Sequence, residues 1–192
     1  MRRHATLRSL ALAAAASLIA TAGAAAQHDH RVEAPVKDLV VRIPESIRLE
    51  HEKIHTELVR ATQLSGPVGA AARELAAVLH PHFVREEQIA LPPLGLLAAL
   101  ARGEHDAGMQ RVLPMTDSLR AELPRMLEEH KAILAATLRL GRVARTAKNE
   151  SVARLAEDLK VHARSEEEVF YPAAILVGDL VRMHLHTGDA PH

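Results

Sequence analysis

His82-Phe83-Val84-Arg85-Glu86-Glu87-Gln88-Ile89 returns later in the chain as His162-Ala163-Arg164-Ser165-Glu166-Glu167-Glu168-Val169. The two stretches stand 80 residues apart, and Pro92 and Pro172 keep the same spacing. A second pair precedes them. Leu49-Glu50-His51-Glu52-Lys53-Ile54 matches Glu128-Glu129-His130-Lys131-Ala132-Ile133, with His51 and His130 79 residues apart. The chain therefore reads as a duplicated helical hairpin. Each half carries one His on its first helix and His-x-x-x-Glu on its second.

The register can be checked by counting. The midpoint of His51 and His82 falls at Gly66-Pro67, inside the turn signal Ser65-Gly66-Pro67. The midpoint of His130 and His162 falls at Thr146, beside a second turn before Asn149. Residues equidistant from an antiparallel turn sit at one height, here about 23 Å from it at 1.5 Å per residue. His51 then faces the level of His82, and His130 that of His162. His82 and Glu86 lie one helical turn apart on one face, as do His162 and Glu166.

The surrounding pattern supports four helices. The first starts at Pro44, carries Ile47, Leu49, Ile54, Leu58 and Val59, and ends near Leu64. The second runs from about Val68 with Leu75, Val78, Leu79, Val84 and Ile89; Pro81 is expected to kink it and Pro92-Pro93 to break it. Gly103 to Gly108 reads as a polar loop. The third runs from near Thr116 or Pro124 to about Ala144, and the fourth from Asn149 past Pro172 toward Leu185. The expected fold is all-α: an antiparallel four-helix bundle of two duplicated hairpins over residues 44–185.

Packing the hairpins together brings His51, His82, His130, His162, Glu86 and Glu166 into the bundle interior. Those residue types suit two divalent ions. Bridging carboxylates offset part of the ionic charge, and neutral imidazoles complete the coordination without adding to it. Nitrogen and oxygen donors suit iron, and leave Mn, Zn or Cu open. Two imidazoles per metal and two shared carboxylates leave positions free for a small ligand. Glu87 and Glu167 read as supporting or surface groups, and Glu50 and Glu129 as solvent-facing. His80, two residues from His82, points elsewhere. Tyr171 reads either as a hydrogen-bond or electron donor near the site or, more commonly for such a residue, as core packing with its hydroxyl at the rim. His28, His30, His184, His186 and His192 read as solvated tail residues or loose Cu or Zn ligands.

His51 with His82-x-x-x-Glu86-Glu87, repeated as His130 with His162-x-x-x-Glu166-Glu167 and followed by Phe170-Tyr171-Pro172, resembles the hemerythrin-like HHE cation-binding family over roughly residues 44–180. The resemblance implies a four-helix bundle with two Fe ions in a non-haem di-iron centre. Such a centre binds O2, senses it, or handles peroxide and NO. The oxygen-carrying members place His-x-x-x-His on the third helix, where this chain has Leu134 four residues after His130. The same spacing occurs on the first helix instead, so His55 is either a fifth ligand or a residue of the bundle rim. The family pattern favours Glu167 as the last carboxylate ligand; the internal repeat favours Glu166. Ferritin-like bundles need Glu-x-x-His on two helices, and Glu52-x-x-His55 has no counterpart around His130 or His162.

Composition narrows the remaining classes. The 192 residues hold 48% apolar but only 2% aromatic residues, which suits packed helices better than strands. With no Cys, disulfides, thiolate zinc sites and iron–sulfur clusters are excluded. Lys and Arg balance Asp and Glu at 24 each, so nothing points to nucleic acid, while the 13 His stand out. Residues 1–26 read as a signal peptide: Arg2, Arg3 and Arg8 precede a short apolar run, with small residues before a cut after Ala26. Residues 27–43 form a flexible lead and 186–192 a tail. The mature chain then has 21 basic and 24 acidic residues, a charge of −3, and no span, and is periplasmic or secreted. Three functions follow: binding of O2 or a related small ligand, a peroxide- or NO-reducing enzyme needing an unidentified electron donor, or a periplasmic iron, zinc or copper buffer. No fused redox domain accompanies the bundle, and no hydrolase or nucleotide motif occurs.

Overall fold

The computed structural model describes residues 41–188. The proposed signal peptide, most of the lead and the last residues of the tail, with His28, His30 and His192, lie outside the described residues. Helix α1 spans Glu45–Thr62 and α2 spans Gly66–Ile89. A 3-10 turn Pro92–Leu96, the short α3 Leu97–Ala101 and a second 3-10 turn Ala107–Val112 form the connection. Helix α4 spans Leu113–Thr146, and α5 spans Glu150–Ser165. A π turn at Glu166–Phe170 joins α5 directly to α6, Tyr171–Gly188. Helices α1, α2, α4 and α5 close a ring, α1 on α2, α2 on α4, α4 on α5 and α5 back on α1.

Both hairpin turns fall where the His spacing places them. At the first, Gly66 takes φ +70°, a left-handed conformation open to glycine, and Pro67 starts the helix without wasting an N–H. At the second, Asn149 caps α5 by accepting from the Val152 N–H at 3.2 Å. The fourth helix continues past Pro172 as expected, but as two segments around a π turn.

Neither inner proline ends its helix, and of the two expected starts of the third helix the one near Thr116 is close to that observed. Helix α2 runs unbroken through Pro81, and α4 starts at Leu113 and includes Pro124. Both prolines sit on exposed faces. The carbonyl that each deprives of a donor therefore meets water, and the usual cost is reduced. Pro92 does mark the end of α2. Likewise, only part of the expected apolar face is buried. Ile47, Ile54, Leu58, Leu75, Leu79 and Ile89 are inside, whereas Leu49, Val59, Val78 and Val84 are exposed.

The core is layered. Toward the hairpin turns, Leu58, Leu75, Leu140 and Leu155 pack in one cluster. Toward the opposite end, Ile47, Leu91, Leu119, Met126 and Tyr171 pack in another. The His/Glu residues lie between these two apolar layers. Helix α6 seats against α4 at Gly178, where an added Cβ would lie 2.2 Å from Thr116 Oγ1. This close approach fixes the helix whose first residue is Tyr171. Gly178→Val should overpack the crossing and cost about 1–3 kcal/mol, read as a lower Tm in thermal denaturation.

Candidate metal centre

Each half delivers its ligand types through the same local rule. His51 sits between the buried Ile47 and Ile54 on α1, and His130 between Met126 and Ile133 on α4. Both share the apolar stripe of their helix, so both point inward. On α2 and α5, Leu79-His82-Glu86 and Leu159-His162-Glu166 advance by one turn each on the buried face. All six candidate residues are at most 3% exposed.

The structure sorts their donor atoms into two groups, each with one nitrogen or oxygen per residue within 4.8 Å of the others. One holds His82, Glu86, His130 and Glu166; the other holds His51, His162 and Glu166. Glu166 belongs to both. Each group takes an imidazole from each hairpin, and the rings pair at centroid distances of 4.6 Å (His82 and His130) and 4.9 Å (His51 and His162).

All four rings adopt one orientation. Nε2 faces the central carboxylates: His82 Nε2 is 3.4 Å from Glu86, and those of His51, His130 and His162 are 3.5, 3.4 and 2.7 Å from Glu166. Nδ1 faces outward to a carboxylate on a neighbouring helix. His82 donates to Glu129 and His130 to Glu167, both at 2.8 Å. His51 lies 3.5 Å from Glu87, and His162 3.2 Å from Glu50. The pairs repeat between halves, Glu87 with Glu167 and Glu129 with Glu50. Such partners set the ring tautomer and raise the basicity of the inward nitrogen. Glu50 and Glu129 are therefore not merely solvent-facing: their carboxylates remain partly exposed, yet they bridge to the buried rings of adjacent helices. The adjacency of α2 to α4 and of α5 to α1 creates this role, and no spacing within one helix signals it.

For Tyr171 the structure selects the hydrogen-bonding role over the rim. The residue is 1% exposed, and its hydroxyl lies in the centre rather than at the rim. It donates to Glu86 and stands 3.1 Å from His130 Nε2 and 3.3 Å from His82 Nε2. Its counterpart one repeat earlier is the buried Leu91, so the two halves differ here. The backbone explains the aim. Tyr171 N–H donates to the Glu166 carbonyl five residues back, as Leu91 N–H does to Glu86. In both halves a proline follows, lacking an N–H and crowding the carbonyl four residues before it. A wide turn relieves that conflict. Pro172 was thus the available sequence signal for the displaced Tyr171.

His55 is exposed and belongs to neither donor group; it lies near the exposed His80, with ring centroids 6.1 Å apart. His184 is not a loose tail residue: it is half-buried, its Nδ1 donates to the Leu180 carbonyl at 2.8 Å, and it stacks on His105.

Electrostatics within the cluster are strong. Burial pushes His82 down, but Glu86 and Glu129 outweigh it and raise the ring to about 9. Burial opposes His162 likewise, and Glu166 and Glu50 raise it to about 9. Burial pushes Glu86 up, reinforced by the Glu166 charge. For Glu166 burial acts upward, yet the imidazoles of His130, His162 and His51 that face it hold it well below the usual carboxylate range. Burial and then the Glu86 and Glu166 charges raise the Tyr171 phenol, which keeps its proton.

A cation fits these residues. Both ring nitrogens of His51 and His162, with Glu86 Oε2 and Glu166 Oε1, are buried and make no well-aligned hydrogen bond, although carboxylates lie 2.7 to 3.5 Å from the two rings. Orphaned buried donors and acceptors are costly unless something satisfies them. The model of the hemerythrin HHE cation-binding domain matches residues 42–174. The chain belongs to the hemerythrin HHE cation-binding family. Searches of curated proteins and of solved structures return no match. Membership, together with the buried His/Glu cluster, makes this a metal-binding domain.

Three predictions follow from the geometry and electrostatics of the cluster. In metal-free protein, His82 and His162 titrate higher folded than unfolded, so the folded state binds the extra protons. Their stabilising contribution is complete below the unfolded value of about 6.5. It should be lost as pH rises through about 9, seen as a falling Tm. Metal uptake at neutral pH should release protons, measurable with a weakly buffered indicator dye. Glu129→Gln weakens the hold on His82 Nδ1 and should cost about 10–100-fold in metal affinity, read by competition with a chromophoric chelator.

Proposed function

We propose that this hemerythrin-family chain is an exported non-haem di-iron protein that binds O2 or a related small ligand. The observation that carries the di-iron reading is the position of Glu166, shared by two donor groups that each contain two imidazoles. His82, His130 and Glu86 would hold one iron, His51 and His162 the other, with Glu166 between them. Export rests on the leader-like run of residues 1–26. The bound irons supply redox-active coordination positions for the small ligand.

The chain's own residues do the rest. Nitrogen and oxygen donors leave positions open to a ligand, because six side chains do not saturate two octahedral ions. The apolar layers above and below exclude bulk water and strengthen interactions inside. Glu50, Glu87, Glu129 and Glu167 hold the rings in register. Tyr171 keeps a proton beside Glu86, where it can hydrogen-bond an anionic ligand on the His82–His130 side.

Tyr171 also favours one second reading, reduction of peroxide or NO, because its retained O–H can hydrogen-bond negative charge that develops on such a ligand at the centre. Turnover with an artificial reductant separates the two. The deciding experiment for the main reading is anaerobic loading with Fe(II) followed by air, scored by metal analysis and absorption. About two irons per chain with a visible charge-transfer band are expected, and reversal on removing O2 marks binding rather than turnover. Fewer than one tightly held iron, or unchanged binding in His82→Ala/His162→Ala, would overturn the proposal.

A further inference from the structure

The duplicated halves carry matching grooves on opposite faces of the cluster, and their linings have diverged. The groove beside α1 and α2 is about 320 Å³ and contains His51, Glu52, His55, His80, Phe83 and Glu87. The groove beside α4 and α5 is about 610 Å³ and contains the repeat counterparts His130, Lys131, Leu134, Lys160, Ala163 and Glu167. Where one side has Glu52, His55 and His80, the other has Lys131, Leu134 and Lys160. One groove thus has an imidazole pair at its rim with Glu52 and Glu87, whereas the other has no such pair and carries Lys131, Lys160 and Arg164 beside Glu167 and Glu168.

We propose that His55 and His80 form a separate, solvent-facing capture site for a divalent transition-metal ion, at the mouth of the groove leading to His51. His55 comes from α1 and His80 from α2, both exposed, with ring centroids 6.1 Å apart and planes inclined at 43°. Two imidazoles sharing a tetrahedral ion through Zn–N bonds of about 2.0–2.1 Å place their centroids about 5 Å apart. Small rotations of two exposed side chains close that gap. His55 lies one turn from His51 on the same helix. Glu87 lines the groove and its carboxylate stands 3.5 Å from His51 Nδ1. A cation held at the mouth therefore shares the groove with a carboxylate that faces the first inner imidazole. Imidazole pairs accept Zn(II), Ni(II), Cu(II) and Fe(II), and two ligands with water bind more weakly than the inner cluster. The feeding role rests on the inner cluster being a metal centre; the capture site itself does not.

The test uses the full chain and Zn(II), measured by equilibrium dialysis with metal analysis. The wild type is compared with His55→Ala/His80→Ala, which keeps every inner residue and differs only at exposed positions. The variant is expected to bind one Zn(II) fewer, with the tail His residues common to both and so cancelled. Under limiting Fe(II), its inner cluster is expected to fill several-fold more slowly by absorption, with an unchanged final stoichiometry. Equal Zn(II) binding by the two proteins overturns the capture site. Loss of the ion with an unchanged filling rate overturns the feeding role. Should the inner cluster hold no metal at all, the Zn(II) difference between the two proteins still decides the capture site, so the two proposals fail separately.

Discussion

Six ionisable side chains lie in one layer of a helix bundle, and the rest of the structure accommodates the cost of placing them there. Taking a charged carboxylate out of water costs several kcal/mol even after relaxation, and both Glu86 and Glu166 are at most 1% exposed. Two features reduce that cost. Three imidazoles hydrogen-bond or closely face Glu166, and Tyr171 donates to Glu86. The remaining orphaned atoms of His51, His162, Glu86 and Glu166 define where a cation completes the layer.

The apolar layers on either side serve that constraint. Ala-rich and Leu-rich helices pack closely with few large aromatic side chains, Phe83 and Tyr171 lying beside the cluster, so the six polar residues face one another across a narrow interior. Because each imidazole is turned by a carboxylate on a neighbouring helix, ring orientation depends on the whole ring of helices. The loops contribute little to it. This places the ligand geometry on the rigid elements of the fold and leaves its outer partners at the surface, where their charges stay solvated.

Duplication supplies the symmetry, and divergence supplies the chemistry that a symmetric pair of sites would lack. Phe83 stacks on His51 at 4.2 Å, whereas the matching Ala163 leaves a wider groove beside His130. Tyr171 replaces Leu91 next to the His82–His130 pair. The two sides of the cluster therefore differ in access, in a hydrogen-bond donor and in the charge of their approach. The differences in access and in the hydroxyl each trace to a single substitution between the repeats, and the charge of the approach to three.

Much was already legible in one dimension. Equal spacing of His51, His82, Glu86 and their counterparts is a property of the chain, and helical periodicity turns it into a shared face. The all-α fold, the two hairpins, the turns near Gly66 and Thr146 and the six inward residues all follow from local rules. Tertiary structure decided what local rules do not reach. It chose which imidazoles pair across the hairpins and brought Glu50 and Glu129 onto rings of adjacent helices. It exposed Pro81 and Pro124 so that α2 and α4 continue through them, and it turned Tyr171 inward through a wide turn ahead of Pro172. Spacing along a helix sets the face a residue occupies; only the packing of helices sets which face it meets.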